Sequence, residues 1–378
     1  YKRQAFQQCK RALKTDAEAQ GIDPALAAVV LDEVEFQPRV IELDRRQPEF
    51  TQTFAQYYNR RVTQTRVDRG RKLLEEHGAL LDRVAQKTGI PPHYLLSFWG
   101  LETNFGSYFG ELSVPASLTT LACDGRRGAY FSKELIAALK IVAAGDITVE
   151  RMQGSWAGAM GHVQFMPSSF LRYAVDADGD GRRDLWGSVA DAMHSAGNFL
   201  SELGWEPGFR WGREVLLPKG FHFSLANGKP RPLTAWADLG ITSVGGQPLP
   251  RLDLPATLRV PAGHDGPAFL TYHNFKVIMG WNRSEYYGLA VGRLADRIAG
   301  AGLLHREPSD DGVTLTRQVI VQLQRNLNIL DYPAGKPDGV PGPATRAALS
   351  RFQLDQDLIA DGYIDQEAID QVREAARE

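Results

Sequence analysis

The sequence is poor in cysteine, contains no long apolar run and carries almost no net charge. Its two cysteines, Cys9 and Cys123, are too few for a disulfide-built scaffold and show no zinc-binding spacing, and whether they pair is left open. No stretch approaches the ~20 consecutive apolar residues of a membrane helix, so we expect no transmembrane segment. The 43 Lys and Arg nearly balance the 45 Asp and Glu among 378 residues. We therefore expect no nucleic-acid partner, because such proteins usually carry a strong basic excess.

Helical patterns dominate the N-terminal half of the chain. Residues 25–31 and 135–143 are rich in Ala, Leu and Val, without the alternation that is typical of strands. The same character extends over most of residues 1–205 and returns from residue 269. The sequence therefore predicts a mainly α fold.

A segment of different composition interrupts the helical pattern. Residues 207–267 contain nine prolines and nine glycines in 61 positions. Short apolar runs at 214–217 and 256–260 lie between these breakers, as the strands of a small sheet do. We expect a small β-containing insertion here.

The C-terminal tail reads as a separate compact segment. Residues 306–312 are predicted to be a linker, and residues 313–378 a small module. Two Asp-Gly dipeptides, at 338–339 and 361–362, each open a turn that feeds a short helix. Together with a helical pattern at 315–327, they predict three helices with a weak internal repeat. The alternative is that the two Asp-Gly pairs are ordinary turns without a true repeat.

The first candidate for chemistry is Glu102, late in an apolar helical run that Pro91-Pro92 is predicted to start. Helical spacing brings Phe98 and Leu101 near its carboxyl group. A carboxyl among apolar side chains loses solvation, which raises its pKa, as a general acid for glycoside cleavage requires. The alternative is a glutamate that pairs with an arginine or faces water.

The second candidate is a segment of small residues at 154–169. Glycines and alanines there let a large ligand approach the backbone closely. Ser155 and Gln164 can hydrogen-bond sugar hydroxyls or amides, and Trp156 and Phe165 offer flat faces. A tight connection between packed helices is the alternative.

The third candidate is a group of aromatic side chains interleaved with amides, at 272–275 and 280–287. Such a mixture suits a saccharide, which has an apolar face and a rim of hydroxyls. An aromatic cluster is, by itself, more often part of a core.

Three motifs in this order resemble those of the MltB/SltB-type lytic murein transglycosylases: Glu-Thr-Asn-Phe-Gly at 102–106, Gly-Ala-Met-Gly-x-x-Gln-Phe-Met-Pro-Ser-Ser at 158–169 and Trp-Asn-Arg-Ser at 281–284. The tail resembles the common peptidoglycan-binding module, through Leu323-Gln324, Asp338-Gly339, Gly342-x-x-Thr345, Phe352-Gln353 and Asp361-Gly362. The resemblance implies a lysozyme-like helical catalytic region over residues 1–305, which includes the insertion, followed by the linker and the module.

The resemblance also implies roles for individual residues. Glu102 matches the single catalytic acid and base. The remaining matches are predicted to bind the sugar or to wall its pocket: Ser155, Met160, Gln164, Phe165, Trp281, Asn282 and Tyr287. Trp281 stands where relatives often carry Tyr, so an aromatic face is kept there.

The implied reaction cleaves the β-1,4 bond between N-acetylmuramic acid and N-acetylglucosamine. Glu102 would protonate the glycosidic oxygen and then, as a carboxylate, accept the proton of the muramic acid C6 hydroxyl, which attacks C1. The product is a 1,6-anhydromuramoyl end. A hydrolytic muramidase and a non-catalytic scaffold that binds peptidoglycan remain alternatives.

An acidic loop at 176–191 follows the spacing of an EF-hand calcium loop. Gly181 takes the glycine position, whereas Arg183 and Gly187 depart from the pattern at positions 8 and 12. Asp191 could close a longer loop, as it does in MltB-type relatives. The expected ligands of a structural, non-catalytic Ca²⁺ are Asp176, Asp178, Asp180, the Arg182 carbonyl, Asp184 and Asp191. A solvated acidic turn is the alternative.

The resemblance implies a periplasmic monomer whose partner is the glycan strand of peptidoglycan. The chain begins with Tyr1 rather than Met, which we interpret as a processed chain without its export signal. Basic residues could meet the carboxylates of peptide stems, although a solvated helix face is the simpler interpretation. They are Arg45, Arg46, Arg60, Arg61, Arg66, Arg69, Arg71 and Lys72.

Overall fold

The structure, a computed structural model, describes residues 2–46, 52–309 and 315–377. Part of the predicted linker, from residue 310 onward, therefore lies outside the described residues. The chain divides into two compact units. The first unit contains residues 1–47 and 68–203, and the second contains residues 48–67 and 204–378.

Helices form most of the described structure. In chain order they are α1 (Lys2–Ala19), α2 (Pro24–Asp32), α3 (Pro38–Arg46), α4 (Phe54–Arg61), α5 (Gln64–Glu76), α6 (Gly78–Thr88), α7 (Pro92–Thr103), α8 (Val114–Asp124), α9 (Gly128–Ala143), α10 (Pro167–Tyr173), α11 (Val189–Glu202), α12 (Leu233–Asp238), α13 (His273–Trp281), α14 (Glu285–Ile298), α15 (Arg317–Ile329), α16 (Pro343–Asp355) and α17 (Gln366–Ala375). No helix among the described residues combines the length and the apolar character that crossing a membrane would require.

The strands are short and fall into two sheets. In chain order they are β1 (Leu112–Ser113), β2 (Gln153–Gly154), β3 (Gly212–Leu216), β4 (Arg231–Pro232), β5 (Thr242–Ser243), β6 (Pro255–Arg259) and β7 (Ala268–Thr271). β1 and β2 pair antiparallel in the first unit, whereas the other strands form one antiparallel sheet in the second, in the order β4-β6-β7-β3-β5.

Helix α7 is buried along most of its length in the first unit. It begins at Pro92, where the missing amide hydrogen costs nothing because the first turn has no intrahelical partner for it. Residues 94–101 are all buried, so this helix is apolar on every side rather than amphipathic. Its last turn carries the first predicted site residue.

A disulfide bond joins α1 to α8. Cys9 and Cys123 lie 5.9 Å apart between their Cα atoms, and the bond closes a span of 114 residues. A crosslink of this kind typically stabilises a fold by about 2–5 kcal/mol. The pairing that the sequence left open is therefore present in the structure.

The second unit is built around its five-stranded sheet. The predicted apolar runs at 214–217 and 256–260 correspond to β3 and β6, which lie on either side of the fully buried strand β7. Beneath the sheet, Trp236 is completely buried and donates its indole N–H to the Ala256 carbonyl.

The C-terminal helices α15, α16 and α17 enclose a small apolar core of their own. Leu323, Leu349, Phe352 and Val372 are its central side chains. The predicted fold class, mainly α with a small β-containing insertion and a C-terminal three-helix module, is thus confirmed. The exact domain limits stay a prediction.

Candidate functional site

Glu102 lies in the last turn of α7 and is half-buried. The helix ends directly after it because Asn104 and Phe105 adopt left-handed backbone angles, with φ of 48° and 60°. Two consecutive residues other than glycine in this region are uncommon and strained. The backbone that carries Glu102 is therefore held in place by its surroundings rather than by local preference.

Thr103 and His162 fix this turn to a second segment. The Thr103 hydroxyl donates to the His162 carbonyl at 2.9 Å and accepts the Gly106 amide at 3.0 Å. The Trp99 indole N–H donates to His162 Nδ1 at 2.9 Å. These bonds are buried or partly buried, so water does not compete for them fully.

Burial lowers the pKa of His162 to about 4, with a smaller opposing effect from the Asp184 carboxylate. The imidazole is consequently neutral near neutral pH. Since Nδ1 accepts from Trp99, the ring proton is assigned to Nε2. A neutral ring at this position holds the end of α7 without adding charge there.

His162 belongs to a tight loop in which the backbone folds back on itself. It comprises residues 154–165 and is called here the 154–165 loop. Met160 pairs with Phe165 through two backbone hydrogen bonds, and the Ser155 amide donates to the Ala159 carbonyl. β2 ties the start of the loop to β1. The small residues noted in the sequence permit this close folding of the backbone.

Two predicted sugar-binding residues shape this loop. The Ser155 hydroxyl accepts the Ala159 amide at 3.0 Å. Gln164 has a left-handed φ of 49°, and its amide donates to the carbonyls of Phe109 and Gly161, each at 3.1 Å. Both side chains are half-buried. Their free hydrogen-bonding capacity, the Ser155 proton and the Gln164 carbonyl, is suited to a polar ligand.

Met160 and Phe165 are buried in the first unit, at 0% and 2% exposure. Phe165 packs edge-on against Phe199 of α11, with 5.3 Å between ring centroids. These two side chains support the 154–165 loop from the protein interior. Their predicted role as pocket walls stays a prediction.

The remaining predicted sugar-binding residues belong to the second unit. Trp281 ends α13, Asn282 caps it, and Tyr287 lies in the first turn of α14. Asn282 is exposed and accepts the Ser284 amide at 3.0 Å, whereas Trp281 is half-buried and Tyr287 is buried. The junction between the two helices holds all three.

The acidic loop brings three of its carboxylates together. Oxygens of Asp176, Asp178 and Asp191 lie within 4.8 Å of one another. Asp191 has no exposed surface and accepts the Ala177 and Asp184 amides, each at 2.8 Å. Within the described residues, none of these three carboxylates forms an ion pair. Converging carboxylate oxygens without a cationic side chain fit a hard cation such as Ca²⁺.

Burial raises the pKa of Asp191 above its ordinary value of 3.8, although the amides of Ala177 and Asp184 oppose the shift. The neighbouring Asp178 carboxylate also raises this pKa. A cation bound to the three oxygens would offset the unfavourable free energy of burying ionised Asp191, which supports the interpretation of the loop as a cation site.

The other expected ligands have different partners. Asp180 forms an exposed ion pair with Arg182 at 3.0 Å. One oxygen of Asp184 accepts the amides of Trp186 and Gly187, at 2.9 and 2.8 Å. The structure thus brings the Asp191 carboxylate together with those of Asp176 and Asp178, whereas the carboxylates of Asp180 and Asp184 lie outside the convergent group; the predicted role of the Arg182 carbonyl stays a prediction.

Some of the basic residues have acidic partners. Arg45 pairs with Asp124 and Lys72 with Glu76. Arg69 contacts the turn that follows α7, since its guanidinium lies 5.6 Å from the Phe105 ring centroid. Arg46 has no described side chain.

Sequence reasoning missed the residues that hold the site together. His162 and Thr103 lie inside the quoted motifs but were not assigned a role. Glu134, which is buried and accepts both the amide and the hydroxyl of Ser168, was not identified at all. The Pro167-Ser168 pair at a helix start could have suggested such a capping acid.

Comparison with known proteins gives a consistent result. A family model described as the transglycosylase SLT domain matches residues 5–296, more than half of the chain. The model of a peptidoglycan binding domain matches residues 316–371. Membrane-bound lytic murein transglycosylase B of Escherichia coli K12 is 32% identical over 249 residues, which is 64% of this chain and 66% of that relative. The match therefore spans just under two thirds of the relative's length.

Two solved structures extend the comparison. The crystal structure of SltB3 from Pseudomonas aeruginosa in complex with NAG-anhNAM-pentapeptide has a TM-score of 0.93 and 41% identity, covering 97% of this chain and 99% of that one. The structure of Escherichia coli lytic transglycosylase Slt35 in complex with calcium has a TM-score of 0.66 and 28% identity, covering 78% and 92%.

Proposed function

Because this chain belongs to the transglycosylase SLT domain family, we propose that it is a lytic transglycosylase that cleaves the glycan strands of peptidoglycan. The substrate is the β-1,4 bond between N-acetylmuramic acid and N-acetylglucosamine. The proposed product is a 1,6-anhydromuramoyl end, formed without water.

Glu102 is the proposed acid and base. As a half-buried carboxyl group it would donate a proton to the leaving oxygen, and as a carboxylate it would then accept the proton of the C6 hydroxyl. The attacking hydroxyl belongs to the same sugar, so proximity replaces a positioned water. The three motifs contain no second acid of the kind that ordinary glycosidases need.

The observation that carries this proposal is the anchoring of the turn that follows Glu102. The Thr103 hydroxyl binds the His162 carbonyl, so the candidate acid and the 154–165 loop are held together within the first unit. Ser155 and Gln164 on that loop are proposed to bind the sugar. Met160 and Phe165 would support its pocket, and Trp281, Asn282 and Tyr287 are proposed as further glycan contacts.

Mass spectrometry of digested peptidoglycan tests the reaction. The chain should release muropeptides that are one water lighter than the reducing-end products of a muramidase. Glu102→Gln keeps the size of the side chain but cannot donate and then accept a proton, so it should release neither product. Reducing ends from the parent protein would favour the hydrolytic alternative, and no cleavage would favour a scaffold.

We also propose that the acidic loop binds a structural Ca²⁺, which takes no part in the reaction. Asp176, Asp178 and Asp191 would hold the ion, with Asp180, the Arg182 carbonyl and Asp184 as further ligands after rearrangement. The ion would supply positive charge that neutralises the converging carboxylates.

The domain limits follow the same proposal. Residues 1–305 would form the catalytic region, with the insertion at 207–267, and residues 313–378 a module that retains the enzyme on peptidoglycan. Two linked parts that bind one polymer raise the effective concentration of each. We propose that the chain acts as a monomer in the periplasm, where this polymer lies.

A further inference from the structure

The C-terminal module contains the same arrangement twice. In the first copy, the buried Gln324 of α15 donates to Asp338 Oδ1 at 3.1 Å and accepts the Gly339 amide at 3.0 Å. The Val340 amide also donates to Asp338 Oδ1, at 2.9 Å. A glutamine side chain thus forms hydrogen bonds with both residues of the Asp-Gly turn.

The second copy repeats these bonds. Gln353 of α16 donates to Asp361 Oδ1 at 3.3 Å and accepts the Gly362 amide at 2.7 Å. The Tyr363 amide donates to Asp361 Oδ1 at 2.9 Å. The internal repeat noted in the sequence is therefore a repeat of hydrogen bonds as well as of residue types.

An arginine occupies the same place in both copies. Arg317 precedes Gln324 by seven residues, and Arg346 precedes Gln353 by the same number. Each arginine carbonyl faces the turn glycine, so closely that a Cβ atom would lie 2.9 Å from the Arg317 oxygen or 2.5 Å from the Arg346 oxygen. The two guanidinium groups are placed differently, since Arg317 Nε donates to the carbonyl of the turn residue Asp338 at 3.1 Å, whereas Arg346 Nε donates to the Pro341 carbonyl at 3.4 Å.

The turn of the second copy, Asp361-Gly362-Tyr363, is called here the docked turn because a neighbouring segment of the second unit binds it. His264 donates its backbone amide to Asp361 Oδ2 at 2.9 Å, and its ring Nδ1 lies 2.8 Å from the same oxygen. Gly263 packs on the turn so closely that a Cβ atom would lie 3.0 Å from Asp361 Oδ2.

The second arginine takes part in the same docking. Arg346 donates to the Tyr286 hydroxyl at 2.6 Å, and its guanidinium lies 5.6 Å from the centre of that ring. Two segments of the second unit thus supply the partners: the His264 amide and ring bind Asp361, and the Tyr286 hydroxyl of α14 binds Arg346. They show which chemistry the arrangement accepts.

The turn of the first copy, Asp338-Gly339-Val340, is called here the open turn. Asp338 is exposed, and its Oδ2 has no hydrogen bond to any described residue. Arg317 is exposed too, with its Nε bonded to the Asp338 carbonyl at 3.1 Å and the rest of its guanidinium available.

We propose that the open turn is a peptidoglycan-binding site, in which Asp338 Oδ2 accepts an amide N–H of the polymer and Arg317 binds a neighbouring oxygen. This inference rests on the proposed function of the module. The docked turn serves as its internal template, since the Gly263-His264 backbone occupies there the position that the ligand takes at the open turn. The two copies have therefore divided their roles, one for docking and one for the polymer.

Peptidoglycan supplies the required amide N–H groups from two sources. Acetamido groups on the sugars carry one, and the peptide stems carry several. Both satisfy a carboxylate acceptor in the same way, and charge-assisted bonds of this type are stronger than neutral ones. The experiment must therefore separate these sources.

The test is co-sedimentation of the full-length chain with insoluble peptidoglycan sacculi on ice, where cleavage is slow. Asp338→Asn keeps an oxygen for the Gln324 and Val340 donors but replaces the outward oxygen by an amide donor. It should weaken binding about tenfold, the effect of one charge-assisted hydrogen bond. Arg317→Gln provides a second variant, which leaves Asp338 and Gln324 unchanged but removes the Nε bond to the Asp338 carbonyl, and it should weaken binding too.

Two variants serve as matched controls. Asp361→Asn makes the same chemical change on the docked turn, and Glu374→Gln removes one exposed charge from α17 of the module. Both should bind sacculi within about threefold of the parent chain. Sacculi stripped of peptide stems by an amidase identify the source: retained sensitivity to Asp338→Asn assigns the acetamido groups, and its loss assigns the stems.

The outcomes are distinct. Parent-like binding of both Asp338→Asn and Arg317→Gln, while the parent chain binds sacculi, overturns the assignment of the open turn and leaves the module's function intact. An equal loss in Asp361→Asn also overturns it, because the two turns would then not differ. If the parent chain itself fails to bind sacculi, the proposed function of the module falls together with this inference.

Discussion

Calcium should raise the melting temperature of this protein, and Asp178→Asn should halve that rise. The three converging carboxylates of Asp176, Asp178 and Asp191 repel one another, at a cost of roughly 1 kcal/mol for each pair at about 4 Å in high dielectric. A bound cation removes this repulsion and stabilises the folded state alone.

The size of the effect follows from mass action. Calcium at about 100 times its dissociation constant adds ~2.7 kcal/mol to the free energy of unfolding. For a domain of the size of the first unit, each kcal/mol corresponds to about 2–4 °C. We therefore expect a rise of about 5–10 °C relative to chelator.

Asp178→Asn isolates the charge from the shape of the loop. Asp178 accepts the Asp180 amide and the Ser188 hydroxyl. An asparagine can keep the first bond through its oxygen and donate to the Ser188 oxygen instead, because a hydroxyl also accepts. A tenfold weaker affinity at the same calcium concentration leaves about 1.4 kcal/mol, which is half of the stabilisation.

The pH dependence has a definite sign. Burial raises the pKa of Asp191 in the folded state, so without calcium its contribution to stability is present at acid pH and is lost as pH rises through that pKa. In the proposed site, calcium would bind only the ionised form of Asp191. The calcium-induced rise should therefore shrink as pH falls toward the raised pKa.

The assay is a thermal melt with calcium, magnesium or chelator, repeated at several pH values. Magnesium should stabilise less, because its small octahedral shell fits a long loop poorly. Glu150→Gln, an exposed change elsewhere on the first unit, controls for net charge. Identical melting curves of the parent protein in calcium and chelator would refute the reasoning and leave an acidic turn.

Three further predictions concern the site and the module. Glu102→Gln should lose all product formation with an unchanged melting temperature, and parent-like turnover would exclude this residue from the mechanism. A chain truncated near Asp311, which lies outside the described residues, should stay active but pellet less with sacculi; equal pelleting would contradict a binding module. Gly106→Ala should destabilise the protein by about 1–3 kcal/mol, because φ is +76° and a Cβ atom would lie 2.6 Å from His162 Nδ1. Gly125→Ala is the matched control in chemical denaturation, because Gly125 has φ of +82° but no neighbour near the added Cβ atom. An equal loss of unfolding free energy in both variants would show that the backbone angle alone, and not the contact with His162, causes the destabilisation.

Much of the fold was predictable because it depends on short-range patterns. The helical runs, the prolines and glycines at 207–267 and the two Asp-Gly turns are features of neighbouring residues, and each appears in the structure where it was expected. The family was predictable as well, since three motifs carry it, and the match to residues 5–296 confirms that resemblance.

The site was only partly predictable. The motifs located Glu102 and the 154–165 loop, but the bonds from Thr103 and Trp99 to His162 join residues about 60 positions apart. Sequence spacing carries no information about which distant polar groups meet in a buried place. For the same reason the pairing of Cys9 with Cys123 could not be inferred.

The sequence by itself determined the classes of segment, their order and the residue types available for chemistry, because helix and turn preferences act over a few residues. Only the tertiary structure decided which of these residues converge. It selected Asp191, supplied by α11, in place of the locally spaced Asp180, and it bound one Asp-Gly turn to His264 while leaving its twin at Asp338 exposed. Convergence depends on long-range packing, through which two turns with the same Asp-Gly pair acquire different neighbours.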